Sequence, residues 1–188
     1  MPDPTDTLMI LVDAAVAVAG FSGVVVVFGR RSAGAWSKLE RTRLVNLLST
    51  SFSVLFFSLG ALVLLHAELG HSTTWRIGSV GWSVVSIWQI ASVARAYSSL
   101  SRTDPDRPHI AVPITLLGLT AVLVVLNLHN AFVGPAEFWP FLAALVWLLA
   151  LAWYSFAQLL LVASRGAPAA FYEGESVKPS SSSEAGGE

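Results

Sequence analysis

The chain has 188 residues, of which 54% are hydrophobic and 12% charged, and its mean hydropathy is +0.66. A soluble domain carries about 25% charged residues, so this balance points to a chain solvated by lipid. The formal net charge is −1 and there is no cysteine. Disulfides, thiolate metal sites, iron–sulfur clusters and cysteine nucleophiles are thereby excluded. No nucleic-acid partner is expected.

Five apolar runs follow one another. The first is Leu8 to Phe28, interrupted only by Asp13. Asp3 and Asp6 precede it and no Lys or Arg does, unlike the positive start of a standard signal peptide, although Ala17-Val18-Ala19 resembles a cleavage site. The others are Val45 to His66, Ile77 to Tyr97, Ile110 to Leu128 and Phe138 to Ala163. A bilayer crossing needs about 20 apolar residues in a helix. Backbone in hydrocarbon must satisfy its own hydrogen bonds, which makes such runs helices. Shorter, strictly alternating segments would mark a β-barrel, and none occurs. The predicted fold is an all-α bundle of five transmembrane helices over residues 1–163. Residues 164–188, rich in Gly, Pro, Ser and Glu, are expected to be a disordered tail. No internal repeat suggests an inverted-repeat transporter.

The basic segment from Gly29 to Arg43 sets the orientation. Cytoplasmic loops collect Lys and Arg. With this loop inside, Arg30, Arg31, Lys38, Arg41 and Arg43 lie there, joined by Arg95, Arg102, Arg107, Arg165 and Lys178, while Arg76 alone lies outside. The N-terminus is therefore expected outside and the C-terminus in the cytoplasm. A polybasic loop at an anionic leaflet needs no dedicated partner beyond lipid. Nine of the eleven basic residues are Arg, and Ala and Val are abundant. That bias suggests GC-rich bacterial codon usage, hence a bacterial inner (plasma) membrane. Trp36, Trp75, Trp82 and Trp139 are expected in the headgroup belts, and Trp88 and Trp147 deeper.

Small residues mark close helix packing in lipid. Ala15, Ala19 and Gly23 repeat every four residues on the first helix, a face for a homo-oligomer. Ser49, Ser53 and Gly60 share a face of the second. Ser79, Ser83 and Ser86 share a face of the third, with Gln89 at its edge. The plain reading is packing, with hydroxyls bonding their own backbone. The sharper one is a polar path through Ser83, Ser86 and Gln89, whose amide cannot be satisfied alone.

Ionisable residues within spans are costly and are candidates for function. Asp13 sits about one and a half turns into the first helix, and Arg95, near an inner end, can snorkel. At the outer side lie His66, Glu68 and His71 (HAELGH), His129 followed by Asn130, and Glu137. The plain reading is polar residues at a water interface. A second is proton or divalent-metal binding, since imidazole and carboxylate suit zinc-like ions. A third is axial ligation of one b-type haem by His66 and His129, which requires the second and fourth helices to be neighbours. HAELGH is not HExxH, because its histidines are five apart, so zincin chemistry is not indicated. His109 reads as an interfacial residue after a turn. Gly20 and Gly23 lie within a span and belong to no nucleotide loop.

Five spans with an outside N-terminus resemble, in architecture, the haem-bearing membrane subunits of some respiratory enzymes. Those carry histidine ligands on both sides, and the inner pair has no counterpart here. No catalytic residue set is present, and the chain does not read as an enzyme. The expected function is a cation- or proton-binding channel, transporter or sensor component. The alternatives are a membrane scaffold or partner subunit that recruits through its tail, and a haem electron-transfer subunit.

Overall fold

The computed structural model describes residues 3–32, 38–67, 69–98 and 111–165. Their only regular structure is helical: α1 (Pro4–Ser32), α2 (Lys38–His66), α3 (His71–Ser98), α4 (Ala111–Phe132) and α5 (Phe138–Arg165). All five are long and apolar enough to cross a membrane. Trp36, Glu68, Arg102, Arg107, His109 and the tail from residue 166 onward lie outside the described residues, so the expectations placed on them do too.

The helices outrun the apolar runs wherever a polar residue can still be satisfied. At the start of α1, Pro4 takes the first helical position, where its missing N–H costs nothing. Asp3 precedes it as a cap, its carboxylate accepting from the Thr5 amide at 2.9 Å. The second connection is far tighter than the ten residues expected from hydropathy. Helix α2 ends at His66 and α3 already begins at His71. Gly70 makes this turn with φ +82°, a conformation in which a Cβ is strained. His71 therefore belongs to a helix and not to a loop. Nor does α4 stop at Leu128. It continues through His129 and Asn130 to Phe132, because the Asn130 side chain finds backbone partners beyond the helix end.

The arrangement is an arc around one helix. Helix α5 packs against all four others; α1 otherwise touches α2, and α4 otherwise touches α3, while α2 and α3 close the middle of the arc. Residues of α5 that turn inward recur at helical spacing: Phe141, Ala144, Leu145, Leu148, Ala152 and Leu159. Toward one end they meet Leu8 and Leu11 of α1, Leu62 of α2 and Trp75 of α3. Toward the other they meet Val18 of α1 and Leu47 of α2. Outward faces are apolar as well: Ile10, Phe56, Val63, Trp88 and Val125 are all more than 60% exposed. Only 28–39% of each spanning window is buried, as suits a bundle whose outer surface meets lipid rather than water.

Two of the tryptophans expected at the headgroup level are instead structural. Trp75 is 4% exposed and Trp82 fully enclosed. Trp75 stacks against Phe138 at 4.7 Å and lies 6.2 Å from Phe141. Their place in the third span resembles that of belt residues, but both share its inward stripe, which hydropathy does not register. Trp139 and Trp88 do face outward.

Close approach of α3 to α5 depends on Gly78, where an added Cβ would stand 3.0 Å from the Phe141 ring. Gly78→Leu should therefore overpack this contact and cost about 1–3 kcal/mol. Gly118, whose Cβ direction is open, serves as the control, and Gly118→Leu should change little. Equilibrium unfolding in detergent compares the two, and equal losses would contradict the packing described.

Candidate functional site

Successive helices run antiparallel, so one end of the bundle gathers the N-termini of α1, α3 and α5 with the C-termini of α2 and α4. We call this the histidine end. His66, His71, His129 and Glu137 all lie there and all are exposed, as is Asp13 further along α1. His66 sets its ring against its own helix, Nδ1 lying 2.8 Å from the Leu62 carbonyl. A carbonyl only accepts, so Nδ1 is the donor of that bond. The His71 ring lies 6.4 Å from that of Trp75. Glu137 accepts from Trp139 Nε1 at 2.6 Å.

These residues share an end but do not converge into one ligand set. Among the described residues no three His, Cys, Asp or Glu side chains gather closely enough to hold a metal ion; Glu68 is not one of the described residues. Helices α2 and α4 are not packed as a pair, since α3 and α5 stand between them. The close α2–α4 packing that a haem shared by His66 and His129 calls for is not among the main helix contacts of the bundle.

Behind the histidine end, the α4–α5 turn is built on two asparagines one turn apart. Asn130 donates to the Glu137 carbonyl at 2.9 Å and accepts from the Glu137 amide at 3.0 Å. Asn127, fully buried, donates to the carbonyls of Leu123 and Pro140 at 3.0 and 3.1 Å. Sequence reading passed over Asn127. Its signal was an amide near the end of an otherwise apolar run, a residue that needs a partner as Gln89 does.

The interior of α3 is polar. Thr74, Ser79, Ser83 and Ser86 are all buried, whereas Ile77, Val84, Ile87 and Trp88 face out. Ser83 donates to the Ser79 carbonyl at 2.7 Å, the local bond expected of a packing serine. Ser86 does not, and its hydroxyl is buried without a partner. Gln89 behaves as a cross-link, its amide reaching Ser49 and Ser53 of α2 at 3.2 Å each. Asn46 of α2 similarly reaches Ser155 of α5 at 3.2 Å, and Trp147 of α5 donates to Thr120 of α4 at 2.9 Å. Such bonds knit helices that gain little from apolar contact with one another in lipid.

The small-residue stripe of α1 is divided. Ala15 is enclosed by the bundle, Ala19 is half-buried and Gly23 is exposed. Gly60 of α2 is likewise open to the outside.

Removing one partner of a satisfied buried bond costs about 1–3 kcal/mol, while a single interhelical bond between membrane helices averages about 0.6 kcal/mol. Asn130→Leu, which frees both backbone groups of Glu137, should therefore destabilise more than Gln89→Leu, which leaves Ser53 bonded to the Ser49 carbonyl. Denaturation midpoints in detergent rank the two, and the reverse order would contradict these assignments.

Comparison with protein-family models, with curated proteins and with solved structures finds no match to this chain.

Proposed function

We propose that this protein is a five-span plasma-membrane protein that binds and passes protons or a small cation, with its N-terminus outside and its C-terminus in the cytoplasm. The observation that carries the reading is the row of buried hydroxyls on α3 that leads to Gln89, with Ser79 and Ser86 lacking a hydrogen-bond partner among the described residues. The histidine end supplies imidazole and carboxylate groups, which can bind a proton or a cation. From there the route would follow Ser79, Ser83 and Ser86 to Gln89 with Ser49 and Ser53. A bare metal ion is less well served, given the absence of a gathered ligand set among the described residues.

Charge asymmetry supports the orientation, with ten basic residues assigned to one side and Arg76 to the other. The preference for Arg over Lys supports a bacterial membrane. A homo-oligomer through α1 would use Gly20 and Gly23, because Ala15 is already enclosed. Protease cleavage of the tail in inverted vesicles, and not in right-side-out ones, checks the orientation.

Proton flux into liposomes containing the purified chain tests the activity. His66→Ala and His129→Ala should each slow that flux severalfold. Gln89→Leu should slow flux by about tenfold, equivalent to about 1.4 kcal/mol of barrier. Flux indifferent to both changes, or no flux at all, overturns the proposal.

A further inference from the structure

Six polar side-chain atoms are buried without a hydrogen-bond partner among the described residues: the hydroxyls of Ser51, Ser58, Ser79 and Ser86, Nε1 of Trp82 and Oδ1 of Asn127. They are not equivalent. A helical serine can turn its hydroxyl onto the carbonyl four residues back, as Ser22, Ser53 and Ser83 do. Trp82 Nε1 can only donate, and Asn127 Oδ1 can only accept. Neither has a local remedy. The Asn127 amide nitrogen already serves two carbonyls, and turning the amide over would set its oxygen against both.

These two groups belong to one layer of the bundle. Gly78 of α3 lies against Phe141 of α5, and Asn127 of α4 binds the carbonyl of Pro140, the residue before it. Trp82 is one turn beyond Gly78 and packs in the same cluster as Phe141 and Val124. Helical side chains tilt toward their own N-terminus. Because α3 and α4 run in opposite directions, Trp82 tilts toward the level of Asn127 and Asn127 toward that of Trp82. Ser79 lies between Gly78 and Trp82 on the same buried face.

We infer that Trp82, Asn127 and Ser79 hold one ordered water molecule between α3, α4 and the start of α5. The site offers one obligate donor, one obligate acceptor and one group that can act as either. A water accepts from the indole, donates to the amide oxygen and exchanges a bond with the hydroxyl, the three bonds typical of a buried water. A cation would face the positive end of the indole N–H, and an anion would face the amide oxygen, so the site selects a neutral molecule. This assignment rests on packing and partner count, independently of the proton reading. Under that reading, the water links the histidine end to Ser86 and Gln89.

The test uses the full chain, labelled with 15N-tryptophan, in lipid bilayers. Seven indole signals are expected. Gly81-Trp82 is the one Gly-Trp pair in the sequence, so carbonyl-13C glycine labelling assigns the Trp82 backbone amide, and an intraresidue backbone-to-indole correlation in a uniformly 13C,15N-tryptophan sample carries that assignment to its indole. Water-edited solid-state NMR should show rapid magnetisation transfer from water to the Trp82 indole, comparable with that to exposed Trp139. Asn127→Leu should cut that transfer several-fold while leaving Trp139 unchanged. A Trp82 indole that receives nothing from water overturns the site, as does transfer indifferent to Asn127→Leu. The wild-type measurement decides even where the variant fails to fold. Water transfer without proton flux retains the site and removes the proposed activity; flux without transfer does the reverse.

Discussion

The structure depends on α5 reaching all four other helices at once. In an apolar medium, burying one aliphatic side chain against another gains little over leaving it against a lipid tail. Association has to come from close fit and from polar groups with nowhere else to go. Helix α5 meets the first demand with an inward seam of alternating bulk, Phe141, Leu145 and Leu148 interleaved with Ala144 and Ala152. Gly78 allows α3 to press onto that seam. The second demand is met by Asn46, Gln89, Asn127 and Trp147, each tying one helix to another.

This division of labour gives α3 its character. Beside Trp75 and Trp82, which fill most of the space on its buried face, further large residues would hold it away from its neighbours. Serines take the remaining buried positions in a smaller volume, at the cost of hydroxyls that must be satisfied. Where a serine bonds its own backbone, the cost is small and the role is packing. Where a buried group cannot do so, as with Trp82 Nε1 and Asn127 Oδ1, the interior holds hydrogen-bonding capacity that the helices leave unused. The same residues thus serve packing and provide the polar interior on which the functional proposal rests.

The histidine end is organised differently. There each polar group has its own local arrangement: His66 on the Leu62 carbonyl, Glu137 on Trp139, Asn130 on the backbone of Glu137. Proximity to a common end does not amount to a common site. The α4–α5 turn is the most firmly built part of it, because Asn130 closes the connection from both sides.

Much of the fold could be read from the residues themselves. Runs of apolar residues long enough to cross a bilayer must become helices, since lipid offers the backbone no other hydrogen-bond partner; this makes helix number and identity a local property. The coincidence of α2's end with His66 and of α5's start with Phe138 reflects that. Gln89 was legible as a residue needing a partner, for the same reason. Tertiary structure decided which face of each helix looks inward. Trp75 and Trp82 stand near the start of the third span, where belt residues are expected, and only the closure of α5 over them fixed them as core residues. Tertiary structure also decided that α2 and α4 are kept apart, because the order of helices around α5 depends on which surfaces fit, and no single helix encodes that.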